Sequence, residues 1–204
     1  MGRGGSAIIV KSSMPAVKMD IQTDLQAVAI KVSLPKKYTV CSIYLPPNTE
    51  VNRNDMKDLI SQLPRPFLLL GDCNSRSPEW GDTVSNQKGR MLSSLMEDQS
   101  FTFLNEMKPT YYCGRTNTWS CIDMSLCSTD ILFDFSWEVS DDDYGSDHFP
   151  VLLSSTSQKL IEQRFSWSIE RANWKLFTQL TEMHETVNTL ETVEECFEHF
   201  NEKS

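Results

Sequence analysis

Phe67-Leu68-Leu69-Leu70-Gly71-Asp72-Cys73-Asn74 is the stretch on which the fold turns. Four consecutive apolar residues with neither helical nor alternating period form the pattern of a central strand covered on both faces. Pro64 and Pro66 stand just before it and stop the preceding helix. Gly71 closes the run, so Asp72 and Asn74 are delivered at the C-terminal mouth of a buried strand. The pair has two readings. A carboxylate and an amide two positions apart can share one pocket, the carboxylate holding or deprotonating a water and the amide donating to a phosphoryl oxygen. Alternatively, they form an Asx turn that only caps the backbone.

Working outward, the preceding segment reads as strands. Ala7–Val10 is a short apolar run, and Leu25–Val32 alternates with one apolar face. Tyr38–Leu45 is β-branched and aromatic and stops at Pro46-Pro47. The short Pro35-Lys36-Lys37 separation suggests an antiparallel pair. Between this pair and the central strand, Asn54 is a candidate cap for a helix to Leu63, with Met56, Leu59, Ile60 and Leu63 on one face. After the central strand, Gly89–Gln99 reads as a helix, and Phe101–Leu104, Trp119–Cys127, Phe133–Val139 and Val151–Leu153 read as strands. From Arg164 the pattern becomes helical and amphipathic, on Trp174, Phe177, Leu180, Val187, Leu190, Val193 and Phe197. Strands dominate, with helices between them. The expected class is α/β or α+β, a layered sandwich of two packed sheets flanked by helices, with a helical extension at the C-terminus.

Bulk properties bound the function classes. A chain of 204 residues holds one sizeable core. Hydrophobic residues at 39%, with five Trp and ten Phe, argue against disorder. No stretch approaches the run of about 20 apolar residues that a membrane-spanning helix needs, so the expectation is an intracellular protein, nuclear or cytoplasmic, without a membrane partner. The net charge of −9 counts mildly against a nucleic-acid partner, although the segment after residue 157 is more acidic per residue than the rest. The six cysteines form no C-x-x-C pair. They read as free, mostly buried thiols, and a zinc site on Cys113, Cys121 and Cys127 lacks a convincing fourth ligand.

Three further polar groups interrupt apolar strands. Asp147 and His148 immediately precede Phe149-Pro150-Val151, a position suited to acid–base or phosphate-contacting work or to a satisfied core histidine. Asp123 sits among Ile122, Met124 and Leu126; if buried it needs a cation or an imidazolium, and if on an edge strand it simply faces solvent. Tyr44 ends a strand ahead of two prolines, where it can hydrogen-bond a phosphate or merely pack. Arg76, Lys88, Arg90 and Arg115 are candidate phosphate contacts or solvated surface charge.

The ordered set YLPPN (44–48), GDCN (71–74), SCIDMSL (120–126) and SDHFP (146–150) resembles the endonuclease/exonuclease/phosphatase superfamily. The finer resemblance is to the apurinic-type endonuclease domain of non-LTR, jockey-like retrotransposons. GDCNSRSPEWGD is similar to that family's GDFNAHHPLWG, and RFSWSIERANWKLF (164–177) to the aromatic link towards its reverse transcriptase. The resemblance implies a four-layer sandwich at 4–156 and a helical linker at 157–204. The implied activity is a Mg²⁺- or Mn²⁺-assisted DNA endonuclease that nicks target DNA for reverse transcription; the alternative is a catalytically dead fragment acting as an interaction module. It implies catalytic positions at Asp72, Asn74, His148, Asp123 and Tyr44, a metal at Asp147 and Asp72, and substrate contacts from Asn74, Ser120, Arg76 and Arg115. The family pattern opens with an Asn-bearing and a Glu-bearing strand ahead of the segment that Arg3–Val10 resembles. Without that Glu, the expectation is a weakly held cation.

Overall fold

The computed structural model describes residues 4–33, 36–96 and 100–156. The helical extension expected from 157 to 204 lies outside the described residues. The strands are β1 (Ala16–Met19), β2 (Gln26–Ser33), β3 (Lys37–Tyr44), β4 (Phe67–Asp72), β5 (Phe101–Phe103), β6 (Tyr111–Cys113), β7 (Thr118–Ser120), β8 (Asp123–Ser128), β9 (Phe135–Val139) and β10 (Val151–Ser155); the helices are α1 (Arg53–Ser61) and α2 (Gln87–Met96).

Six strands form one mixed sheet in the order β1-β2-β3-β4-β8-β5, and β9 with β10 and β6 with β7 form two small antiparallel pairs. The apolar run at Phe67–Leu70 occupies an interior position between β3 and β8, as its lack of alternation requires. β3 and β4 run parallel, with Ser42 beside Leu70, and α1 makes the crossover between them. β4 and β8 run antiparallel, with Asp72 opposite Asp123.

Alternation along these strands sorts side chains onto two faces. Ile43, Leu69, Met124 and Leu126 pack with Met56 and Leu59 of α1 and Leu92 and Leu95 of α2. Tyr38, Leu68 and Cys127 pack on the opposite face with Trp137 and Val139 of β9, and Leu70, Val151 and Leu153 join them. Each fully buried aliphatic side chain contributes about 1.5–3 kcal/mol, so both faces of the sheet carry core. The result is an α+β sandwich: helices, a large mixed sheet and a second, smaller sheet. Among the described residues the second sheet is the β9–β10 pair alone. No helix among the described residues is long and apolar enough to cross a membrane.

Several local expectations change. Ala7–Val10 forms no strand, and Ile9 is 97% exposed; among the described residues no neighbouring strand supplies it with a ladder. Asn52 rather than Asn54 caps α1, its side chain accepting from the Asn54 N–H at 2.9 Å. The segment Trp119–Cys127 is two strands, not one. Between them the Cys121 N–H is diverted to Asp82, while the Ile122 carbonyl accepts from Cys73 N–H in continuation of the β4–β8 register. The short strands β1 and β6, absent from the sequence reading, are set by pairing rather than by pattern. The five cysteines among the described residues are free, and Cys113, Cys121 and Cys127 belong to no cluster of three or more His, Cys, Asp and Glu among those residues.

Candidate active site

The C-terminal ends of the parallel strands β3 and β4 meet the N-terminal end of antiparallel β8 at one margin of the sheet. Carrying the β3–β4 register on by two residues sets Tyr44 beside Asp72, and Asp72 stands opposite Asp123. These three side chains therefore form a row across neighbouring strands, on the face shared with Leu68 and Leu70. Three chain segments distant in sequence thus contribute to one row.

Asn74 closes the turn that follows β4. Its backbone N–H donates to Asp72 Oδ1 at 2.8 Å and its Nδ2 to Asp72 Oδ2 at 3.0 Å. The same amide nitrogen reaches the Leu45 carbonyl at 3.1 Å, tying the β3 end to the β4 end. Asn74 has φ +45°, in the left-handed region that Asn tolerates better than most residues. The Asp–x–Asn pair forms the Asx-type turn, and its groups stay half-buried at the margin.

His148 is placed by a separate strip of backbone pairing. Tyr112 N–H donates to the Asp147 carbonyl and Phe149 N–H to the Thr110 carbonyl, both at 2.8 Å, which clips residues 147–149 to β6. The imidazole leans on Tyr111, with ring centroids 4.9 Å apart. Its Nδ1 lies 3.0 Å from Asp123 Oδ2 and 3.2 Å from Oδ1. Thr110, fully buried, accepts from the Asp123 N–H through its hydroxyl, so one residue braces both members of the pair.

Electrostatics follow from this packing. Burial pushes the Asp72 carboxyl above the usual carboxylate range and the facing Asp123 adds to the rise; Asn74 N–H, His148 and Lys88 oppose it. The Asp123 hydrogen bond raises His148 above its ordinary value, against the pull of burial. The imidazole is thereby biased towards the cationic form. Below the row, a cavity of about 170 Å³ is lined by Leu70, Gly71, Asp123, Ser125, Phe149, Val151 and Leu153.

The remaining sequence-derived candidates divide. Asp147 is exposed beside His148 and contributes to its charge environment. Arg115 lies exposed in the β6–β7 turn. Arg76 is turned inward: its Nε pairs with the wholly buried Asp82 side chain at 3.0 Å and its guanidinium donates to Ser120 Oγ. Arg90 is exposed and reaches the Ser85 carbonyl. Lys88, expected on the surface, is only 6% exposed and donates to the carbonyls of Pro46 and Pro47. Thr110, Tyr111, Asp82 and Asn86 escaped the sequence reading. Each acts through a backbone group or an ion pair far away in the chain, and no local pattern marks that.

Residues 38–152 match the endonuclease–reverse transcriptase family. In sequence, the chain is similar to the RNA-directed DNA polymerase from mobile element jockey of Drosophila melanogaster, 32% identical over 114 residues, covering 54% of this chain and 12% of that protein. It is also similar to the probable RNA-directed DNA polymerase from transposon X-element of the same fly, 25% identical over 197 residues, covering 92% of this chain and 21% of that one. The chain thus spans only a small part of the length of these relatives. In structure, it superposes on the endonuclease domain of TRAS1, a telomere-specific non-LTR retrotransposon, with TM-score 0.65 and 22% identity over 74% of this chain and 73% of that one. A 3′ phosphatase from Neisseria, NExo, bound to product DNA hairpin, follows at TM-score 0.51 and 16% identity, over 69% and 72% of the two chains. The fold is that of an endonuclease-type α+β sandwich. The chain belongs to the endonuclease–reverse transcriptase family.

Proposed function

We propose that residues 4–156 form a DNA endonuclease that hydrolyses a phosphodiester bond with the help of a divalent cation, nicking target DNA so that a linked reverse transcriptase can prime on it, with 157–204 as the link. The observation that supports this most is the contiguity of Asp72, Asn74, Asp123 and His148 at one sheet margin.

In this reading Asp72 and Asn74 hold the attacking water, the carboxylate accepting its proton and the amide fixing its direction. His148, kept protonated and oriented by Asp123, donates to a phosphoryl oxygen as negative charge grows there. Tyr44, beside Asp72 in the same row, offers its hydroxyl to the phosphate. Arg115 takes a neighbouring phosphate. Arg76 and Ser120, already bonded to each other, frame the floor on which the strand lies.

The donor chemistry suits a hard cation. Asp72 and Asp123 face each other, and the Asp147 carboxylate is exposed next to His148, which pairs with Asp123. Mg²⁺ commonly uses one or two carboxylates and fills its shell with water and substrate phosphate. Asp72 and Asp147 would hold it, and it would supply charge neutralisation at the phosphoryl group.

The test is relaxation of supercoiled plasmid in Mg²⁺ or Mn²⁺ by the chain and by its Asp72→Ala and His148→Ala variants. Nicking by the parent that both substitutions abolish supports the enzyme. Absence of nicking in all three leaves the interaction module. Release of phosphate from inositol phosphates without plasmid nicking would assign a different substrate.

A further inference from the structure

We infer that the first turn of α2, through Lys88 and Asn86, is a positioning device that locks the two strand-end loops of the active site together. This deepens the proposed function and rests on it only for its kinetic consequences.

Two loops must keep a fixed spacing for the row Tyr44–Asp72 to face one phosphate. One is Leu45-Pro46-Pro47 after β3, the other Asp72-Cys73-Asn74 after β4. Direct bonds between them are few: Leu45 N–H to the Asp72 carbonyl at 2.9 Å and Asn74 Nδ2 to the Leu45 carbonyl at 3.1 Å. The α2 turn adds a grip on each. Lys88 Nζ donates to the carbonyls of both Pro46 and Pro47. Asn86 Nδ2 donates to the Asn74 carbonyl at 2.8 Å, while its Oδ1 accepts from Arg76 N–H at 3.0 Å and Gly89 N–H at 2.8 Å. Every polar atom of the Asn86 side chain is thus spent on the β4 loop or on the helix that presents it.

The closeness of that docking is fixed by Gly89. A Cβ there would come within 1.9 Å of the Arg76 carbonyl oxygen, so only glycine lets the helix backbone lie against the loop. A lysine at 6% exposure normally requires a reason. Here its ammonium donates to the carbonyls of Pro46 and Pro47, and it lies close enough to Asp72 for each to favour the other's charge against the pull of burial. Lys88 does not need to touch substrate. Removing it should free the β3 loop and leave the sheet intact.

The experiment compares Lys88→Met, Lys88→Arg, Asn86→Ala and Leu92→Ala with the parent chain, without metal, by amide hydrogen exchange, and with Mg²⁺ on supercoiled plasmid by nicking kinetics. Leu92 packs in the α2 core and touches neither loop through a hydrogen bond, so it controls for general loss of helix stability. Lys88→Met should speed exchange at the Leu45 and Asn74 N–H groups about tenfold or more, with Leu69 and Leu126 within about twofold. Nicking kcat should fall about 100-fold at nearly constant KM, because small misplacement of reacting groups is costly. Lys88→Arg should recover most of both effects. Asn86→Ala should release the Asn74 carbonyl, loosen that turn and speed exchange at the Asn74 N–H, and it serves alone should Lys88→Met fail to fold. Unchanged exchange at Leu45 and Asn74, or equal acceleration in Leu92→Ala, overturns the brace. Loop exchange as expected in a parent chain that nicks nothing supports the brace and sinks the endonuclease reading.

Discussion

Asp72 and Asp123 stand directly opposite each other on neighbouring antiparallel strands. Two carboxylates at facing positions repel, and such pairs weaken a sheet unless neighbours compensate. Here the compensation is divided. Asn74 donates twice to Asp72, and His148 donates to Asp123. The two acids therefore carry different environments.

The Asp123–His148 pair should make stability depend on pH. The folded-state value of His148 lies above its ordinary 6.5. Its contribution is therefore complete below about pH 6.5 and is lost as pH rises through the raised value. Replacing Asp123 with Asn removes the partner that raises it. In thermal melts without metal, the gap between parent and Asp123→Asn should be wider near pH 5.5 than near pH 8.5. A gap that grows towards alkaline pH would refute the pairing as drawn.

His148→Gln keeps a polar side chain of similar reach but cannot carry charge. Plasmid nicking should fall about 100-fold or more, within the usual range for a lost acid–base group, while the melting temperature, as for Asp123→Asn, should fall less near pH 8.5 than near pH 5.5. Retention of parental nicking would remove His148 from the reaction.

Arg76→Ala should act on the fold before it acts on DNA. Its partner Asp82 has a wholly buried side chain, which also accepts from the Cys121 N–H. Leaving a buried carboxylate without its cation costs about 3–5 kcal/mol. Urea denaturation should show a loss of that order, and the double substitution Arg76→Met with Asp82→Leu should lose less than Arg76→Ala alone.

Gly71→Ala should be among the more damaging single-methyl changes in the protein. Gly71 has φ +147°, and a Cβ there would sit 1.9 Å from the Ile43 carbonyl oxygen. The clash lies against backbone of the adjacent strand, so relief requires moving β3 from β4 one residue ahead of Asp72. Denaturation midpoints should fall, and nicking should fall further than stability alone explains; equal stability of parent and variant would contradict the close approach.

Much of this was legible in the sequence. The unbroken apolar run at Phe67–Leu70 announced a central strand, since only burial on both faces removes alternation. The periodicity of Met56, Leu59 and Leu63 announced α1. The grouping of Asp72, Asn74, Asp123 and His148 was legible only as an ordered resemblance, because no spacing rule shows that residues so far apart meet. Ala7–Val10 misled, since apolar content marks a strand only where a neighbour supplies hydrogen bonds. Lys88 and Asn86 were opaque for the opposite reason: a lysine and an asparagine at the start of a helix look like solvent-facing residues, and only the tertiary approach of Pro46 and Asn74 gives them partners. Arg76 likewise resembles a phosphate contact until Asp82 is seen beneath it.

The row that joins β3, β4 and β8 has a consequence for biosynthesis. Its members emerge from the ribosome in the order Tyr44, Asp72, Asp123, and His148, which pairs with the last, follows and is clipped in place through Thr110 and Tyr112, which are themselves set by β7. A nascent chain that has exposed Asp72 and Asn74 still has no imidazole and no β8 to set beside them. The grouping of Asp72, Asn74, Asp123 and His148 therefore completes in one late step, after residue 148 has emerged.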